Sequence, residues 1–163
     1  MTDERQEEAL ESLRAQGSLP GLLHASTRSF VDVVDGTACA ISRVVGDILI
    51  QVAEYALDGR TLVLGHGYLI SDFPLTKNVL ETGEPTLCSL LDETCDRAEA
   101  DLLRELQLDS LLMAPLGAGD SAWGLAEVYA NGRRFGEDDL ALLRPLVAAF
   151  GEQVLKLPAP ASR

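Results

Sequence analysis

Apolar positions recur along this chain with two different spacings, and the changes from one spacing to the other divide it into elements. Residues Thr2 to Gln16 lack Gly and Pro and set Ala9, Leu10 and Leu13 at helical spacing among acids, with Gly17 as a stop. This predicts a short amphipathic helix. Ser18-Leu19-Pro20 restarts the pattern, and Leu22, Leu23, Phe30, Val31 and Val34 carry a second helix to the Asp35-Gly36 turn. Thr37 to Val45 and Ile48 to Leu57 are rich in β-branched residues and separated by Gly46-Asp47, which predicts a hairpin. Asp58 to Asp72 is rich in Gly and turn formers, and Phe73 to Thr82 reads as a short helix ended by Gly83 and Pro85. A brief strand at Thr86 to Ser89 follows, then a helix at Arg97 to Leu106 with Leu102, Leu103 and Leu106 on one face. Ser110 to Leu116 and Ala122 to Ala130 form a second antiparallel pair around Gly117-Ala118-Gly119-Asp120. Glu137 to Leu157 repeats Leu140, Leu143, Leu146, Val147, Phe150 and Val154 as a long helix, and Pro145 predicts a kink or break near Arg144. Residues 157–163 read as a frayed tail, and no internal repeat is present.

Alternation also sorts the strands into faces. Gly124, Ala126, Val128 and Ala130 fall on one side of their strand, and Trp123, Leu125, Glu127 and Tyr129 on the other. In the first hairpin Ala38, Ala40 and Ser42 oppose Cys39, Ile41 and Arg43. Small side chains let helices approach closely, so the small face is expected beneath the Leu19 to Val34 and Glu137 to Leu157 helices. The larger, part-polar face is then the wall of a pocket. Glu127 and Arg43 are expected to share it and to grip a charged group stacked on Trp123 or Tyr129, with Ile41 and Met113 completing the ligand-binding set. The competing reading is an internal ion pair with aromatic core packing.

Composition narrows the classes. At 163 residues and 47% hydrophobic content, the chain suits one domain with one core. Its acidic, polar start differs from a secretory signal, and no apolar run reaches the length of a membrane span, so a soluble cytoplasmic protein is expected. A net charge of −13 repels phosphate backbones and anionic lipid, which argues against nucleic-acid and membrane partners. Three cysteines without a C-x-x-C pair suggest reduced thiols rather than a disulfide framework or a zinc site.

Four stretches, Val79 to Pro85, Ser110 to Leu116, Trp123 to Tyr129 and Phe135 to Leu143, stand in an order that resembles the GAF domain family over residues 18–156. The resemblance implies an α/β (α+β) fold with a PAS-like central antiparallel sheet of five to six strands. Terminal helices would cover one face of the sheet, and the other would carry a ligand pocket under short helices and loops. Residues 1–17 would be an added N-terminal helix. It names no ligand or cofactor, because function belongs to the site and not to the fold.

Three chemistries within that resemblance can be compared with the residues. Asn131, Arg134, Phe135 and Asp139 resemble a series found in cyclic-nucleotide-binding members, but Arg134 replaces lysine and Leu140 stands where a glutamate closes the series. The stretch reads instead as a structural Arg–Asp pair followed by an acidic first helical turn. Cys88 and Cys95 lie where free methionine sulfoxide reductases carry redox cysteines, yet only Arg97 offers positive charge nearby, and the thiols read as small hydrophobes. His24 and His66 lack metal-ligand spacing, and the cysteine-histidine dipeptide of bilin attachment is absent, although His66 suits a place beside a haem or chromophore.

The resulting expectation is a non-enzymatic signalling or regulatory module that senses a small molecule and acts on a separate protein partner. A homodimer is expected as well, because Ala9, Leu10 and Leu13 need a surface, and Leu142, Ala149 and Leu155 add a second apolar stripe to the C-terminal helix. The alternatives are a reductase using Cys88 and Cys95 and a ligand-free dimeric scaffold.

Overall fold

A computed structural model describes residues 2–62 and 65–158. Its centre is one six-stranded sheet, every neighbouring pair antiparallel, in the order β3-β2-β1-β6-β5-β4. The strands are β1 (Ala38–Val45), β2 (Ile48–Ala56), β3 (Gly67–Leu69), β4 (Thr86–Ser89), β5 (Ser110–Ala118) and β6 (Ser121–Ala130). Helices α1 (Thr2–Arg14), α2 (Leu19–Val34) and α5 (Glu137–Lys156) cover one face, and α3 (Pro74–Thr82) and α4 (Arg97–Leu106) lie over the other. The α/β architecture with a six-stranded antiparallel sheet matches the expected fold class. The turn-rich segment before α3 additionally supplies β3 and a 3-10 turn at Ile70–Asp72. The tail from residue 159 onward lies outside the described residues.

Local chemistry sets the ends of the elements. Ser18 Oγ accepts the Gly21 N–H at 3.2 Å to cap α2, and Asp35 closes that helix in the left-handed region at φ 52°. Gly83, at φ 73°, returns its N–H to the Val79 carbonyl and ends α3. Asp139 accepts the Gly136 N–H at 2.8 Å and pairs with Arg133 at 2.9 Å, fixing the first turn of α5. The helix runs unbroken through Pro145, so of the kink or break expected near Arg144 the break does not occur. Tertiary packing holds it, with Leu143, Leu146 and Phe150 buried on either side of the proline.

Two cores result. The helix-side core joins Leu13, Leu22, Phe30, Leu143, Leu146 and Phe150 to sheet residues such as Ile41, Ala126 and Val128. The opposite core joins Ala38, Ala40, Leu111, Met113, Leu125 and Tyr129 to Val79 of α3 and Leu103 of α4. A Cβ on Gly151 would collide with the Gly117 carbonyl, so α5 rests directly on the β5 backbone.

Candidate functional site

The face assignment of the second hairpin agrees with the sequence pattern for Leu125, Glu127 and Tyr129, which turn away from the terminal helices, and for Ala126 and Val128, which lie beneath them. The first hairpin is reversed, with Ala38 and Ala40 in the core under α3 and α4 and Cys39 and Ile41 in the helix-side core, and three of the expected ligand residues need correction. Ile41 is fully buried in the helix-side core, because antiparallel register opposes Ile41 to Ala126 and Ala40 to Glu127, and cross-strand partners share a face. Large residues thus sit beside small ones: Tyr129 over Ala38, Glu127 over Ala40, Ile41 over Ala126. Trp123 also lies on the helix side. The register steps from Leu116↔Gly124 to Gly117↔Ala122, leaving Trp123 as an extra residue in a bulge that turns its ring to within 5.1 Å of Phe150. Arg43 stacks its guanidinium over that ring at 4.5 Å and is exposed, so it does not share a face with Glu127. Glu127, Tyr129 and Met113 remain together on the other face.

There the structure adds a partner that the strand pattern did not reveal. Asp96 caps α4 through Oδ1, which accepts the Glu99 N–H at 2.8 Å, while its Oδ2 accepts the Leu75 N–H at 2.8 Å. One carboxylate therefore staples the start of α4 to the first turn of α3 and aims Glu99 inward. Glu99 is 1% exposed, and its Oε1 receives the Thr76 hydroxyl at 2.6 Å. That hydroxyl lies 3.5 Å from Met113 Sδ, and Met113 opposes Glu127 across β5 and β6. Glu127 Oε2 accepts the Tyr129 hydroxyl at 3.2 Å.

Glu99 and Glu127 line one cavity of about 20 Å³ with Gln51, Tyr68, Phe73 and Leu106. Burial is the first cause of their protonation behaviour, and each also feels acids. Glu99 is pushed up to about 7 by burial and by Asp96, against the Thr76 hydrogen bond. Glu127 is pushed up to about 8 by burial and by Glu99, against the bond from Tyr129. The Tyr68 and Tyr129 hydroxyls are raised in turn, by burial first and then by Glu127. The signal for Glu99 was present in the sequence, since it precedes Leu102, Leu103 and Leu106 by helical intervals and so belongs to the apolar face of α4.

Other candidates resolve into structural roles. Asp139 takes Arg133 rather than Arg134, which pairs with Asp92 at 2.7 Å, because Arg133 also stacks on Phe135 next to the helix start. The Cys88 thiol, beside Cys95 and buried, is raised by burial, and Cys95 is raised for the same first reason. His24 is exposed on α2 and His66 is exposed near the Gln51 strand. A wider groove of about 670 Å³ runs between α1 and α2, where Arg5 pairs with Asp35 at 2.9 Å and Arg28 lies over Tyr55 at 5.1 Å. Among the described residues no helix is long and apolar enough to cross a membrane, and no group of three or more His, Cys, Asp or Glu gathers as a metal site.

A family model for the GAF domain matches residues 18–154. No curated protein matches the chain. Among solved structures, the phycocyanobilin-bound GAF domain of a cyanobacterial phytochrome is similar at TM-score 0.81 and 16% identity, covering 96% of this chain and 94% of that one. A phycoerythrobilin-bound GAF domain from a cyanobacterial phytochrome is similar at TM-score 0.79 and 16% identity, covering 94% of each. The photosensory core module of the Stigmatella aurantiaca phytochrome is similar at TM-score 0.81 and 13% identity, with 95% of this chain covering 36% of that one.

Proposed function

This chain belongs to the GAF domain family, and from that premise we propose that it is a small-molecule-sensing module of intracellular signalling, working without catalysis on a separate protein partner. The observation that carries this reading is the cavity between the sheet and α3/α4, where a buried carboxyl oxygen of Glu99 has no hydrogen-bond partner. A buried polar atom left unpaired costs about 1–3 kcal/mol, and such an atom calls for a functional or bound partner to explain it. The similar phytochrome domains hold bilins in their structures. Here the volume of about 20 Å³ is far below a chromophore's needs and suits a small head group whose remainder extends out of the cavity.

Residues 18–156 form the sensory domain in this reading, and the sheet connects cavity to output. Glu127 and Tyr129 face the cavity, while Ala126 and Val128 of the same strand lie under α2 and α5. A shift of β6 on binding moves both. The raised thiols of Cys88 and Cys95 support the non-catalytic reading over the reductase, since an attacking thiolate needs a depressed pKa. Homodimerisation belongs to the proposal as the output form, with Leu155 and Leu19, at 64% and 39% exposure, as apolar residues left for a second copy. A ligand-observed screen of a mixed small-molecule library against the full chain tests the reading. Hits lost in Glu127→Gln support it, and hits indifferent to that change, or none, overturn it.

A further inference from the structure

The lining of the cavity carries two carboxyl groups and, among the described residues, no basic side chain. Glu99 commits Oε1 to Thr76 and leaves Oε2 unpartnered at 1% residue exposure, and among the described residues Glu127 receives the Tyr129 hydroxyl alone. The ionisable groups that act on this pair, Asp96 from the start of α4, Tyr68 from β3 and Tyr129 from β6, are acidic or phenolic. Arg60, which reaches the Leu106 carbonyl at 2.6 Å, is already engaged by Asp58 at 2.7 Å. An anionic head group would meet two carboxyls with nothing to balance it. A cation bearing N–H donors supplies both the missing donor and the missing charge.

We propose that the cavity binds the ammonium head of a small organic amine, with Glu99 Oε2 and the Glu127 carboxylate accepting its N–H donors. The proposal rests on the sensing reading above and names the class of ligand. Size agrees with it. A volume of about 20 Å³ holds one group the size of a water molecule, and an ammonium head is of that size. The rings of Tyr68 and Phe73, packed edge to face at 5.7 Å, line the same cavity and present aromatic surface to a cation and its alkyl stem. Before binding the pair retains protons near neutrality, whereas a bound cation favours the ionised carboxylates. Binding therefore releases protons and tightens as pH rises through the interval from about 7 to about 8.

The chain has two methionines, and Met113 lies against Thr76, so methyl-labelled methionine gives a simple NMR reporter of the cavity in the intact protein. Propylammonium, propanol and propionate serve as cationic, neutral and anionic probes of similar shape. Propylammonium alone is expected to shift the Met113 methyl in a saturable way. Its affinity should rise between about pH 6 and about pH 8, and calorimetry in phosphate and Tris should give enthalpies that differ by the released proton. Glu99→Gln, which keeps the Thr76 contact and removes the charge, should weaken binding about tenfold or more, and the exposed control Glu84→Gln should not. Propanol or propionate binding as tightly as propylammonium, or an unchanged affinity in Glu99→Gln, overturns the amine proposal while leaving a ligand site. If no probe of any charge moves Met113 and the library screen is empty, the amine proposal and the sensing reading fall together.

Discussion

The Glu99 carboxyl carries the largest consequence of any single residue. In the unfolded chain it would titrate near the ordinary 4.5, whereas in the fold it is pushed up to about 7, chiefly by burial. Between those values the native state holds more protons than the unfolded one, so stability falls as pH rises through the interval. Below it both states are protonated and the penalty vanishes. Glu99→Gln is accordingly expected to stabilise the protein by on the order of 2–3 kcal/mol near pH 8 and to have little effect near pH 4, as read by urea denaturation at both. Asp35 acts in the opposite sense. The Arg5 hydrogen bond lowers its pKa, so that contribution is present above the ordinary carboxylate range and is lost as pH falls. With side chains 41% and 65% exposed the pair is worth little, and Asp35→Asn should leave the neutral-pH melting temperature nearly unchanged.

At the scale of elements, contact between α5 and the sheet depends on backbone meeting backbone. Gly151 touches the Gly117 carbonyl, and Gly124 in β6 has Ser42 of β1 in the same relation. Either glycine replaced by alanine forces the strands or the helix apart, with an expected loss of about 1–3 kcal/mol in chemical denaturation. The α5 start is a second point of leverage. Asp139→Ala removes both the Gly136 N–H acceptor and the Arg133 partner, which should cost about 1–2 kcal/mol without altering the cavity on the other face. An Asp139→Ala variant that lost ligand response while remaining folded would show coupling between α5 and the cavity.

For the molecule as a whole, α1 decides how the apolar stripe on α5 is used. The helix lies on α2 and α5 of its own chain, with Leu13 fully buried, Gln6 donating to the Leu142 carbonyl at 3.0 Å, and the Gln153 side-chain amide donating to the Gln16 carbonyl at 2.7 Å. Leu142 and Ala149, expected as surface for a second subunit, are thereby packed within one subunit, while Leu155 stays exposed. Leu13→Ala should destabilise the fold by about 2–4 kcal/mol in thermal or urea unfolding, as for other buried leucines. Sedimentation velocity tests the proposed homodimer directly: a dimer is expected at micromolar concentration, and a monomer there would leave the module acting as a single subunit.

The sequence by itself determined the elements, because helical and strand periods, Ser18, Asp35, Gly46 and Gly83 are local signals that each act within a few residues. It also determined that Glu127 and Tyr129 share a face, since alternation along one strand is a local property. The pairing of strands decided the rest. Which face of β1 meets Glu127 depends on register with β6, and a bulge at Trp123 reverses a side chain that simple alternation places wrongly. Glu99 joins Glu127 at one cavity through the packing of α4 over the sheet, where Asp96 ties α4 to α3 by a contact spanning 21 residues between Asp96 and Leu75. Periodicity says which side of an element is apolar, but bringing two acids to one cavity is decided by how separate elements pack.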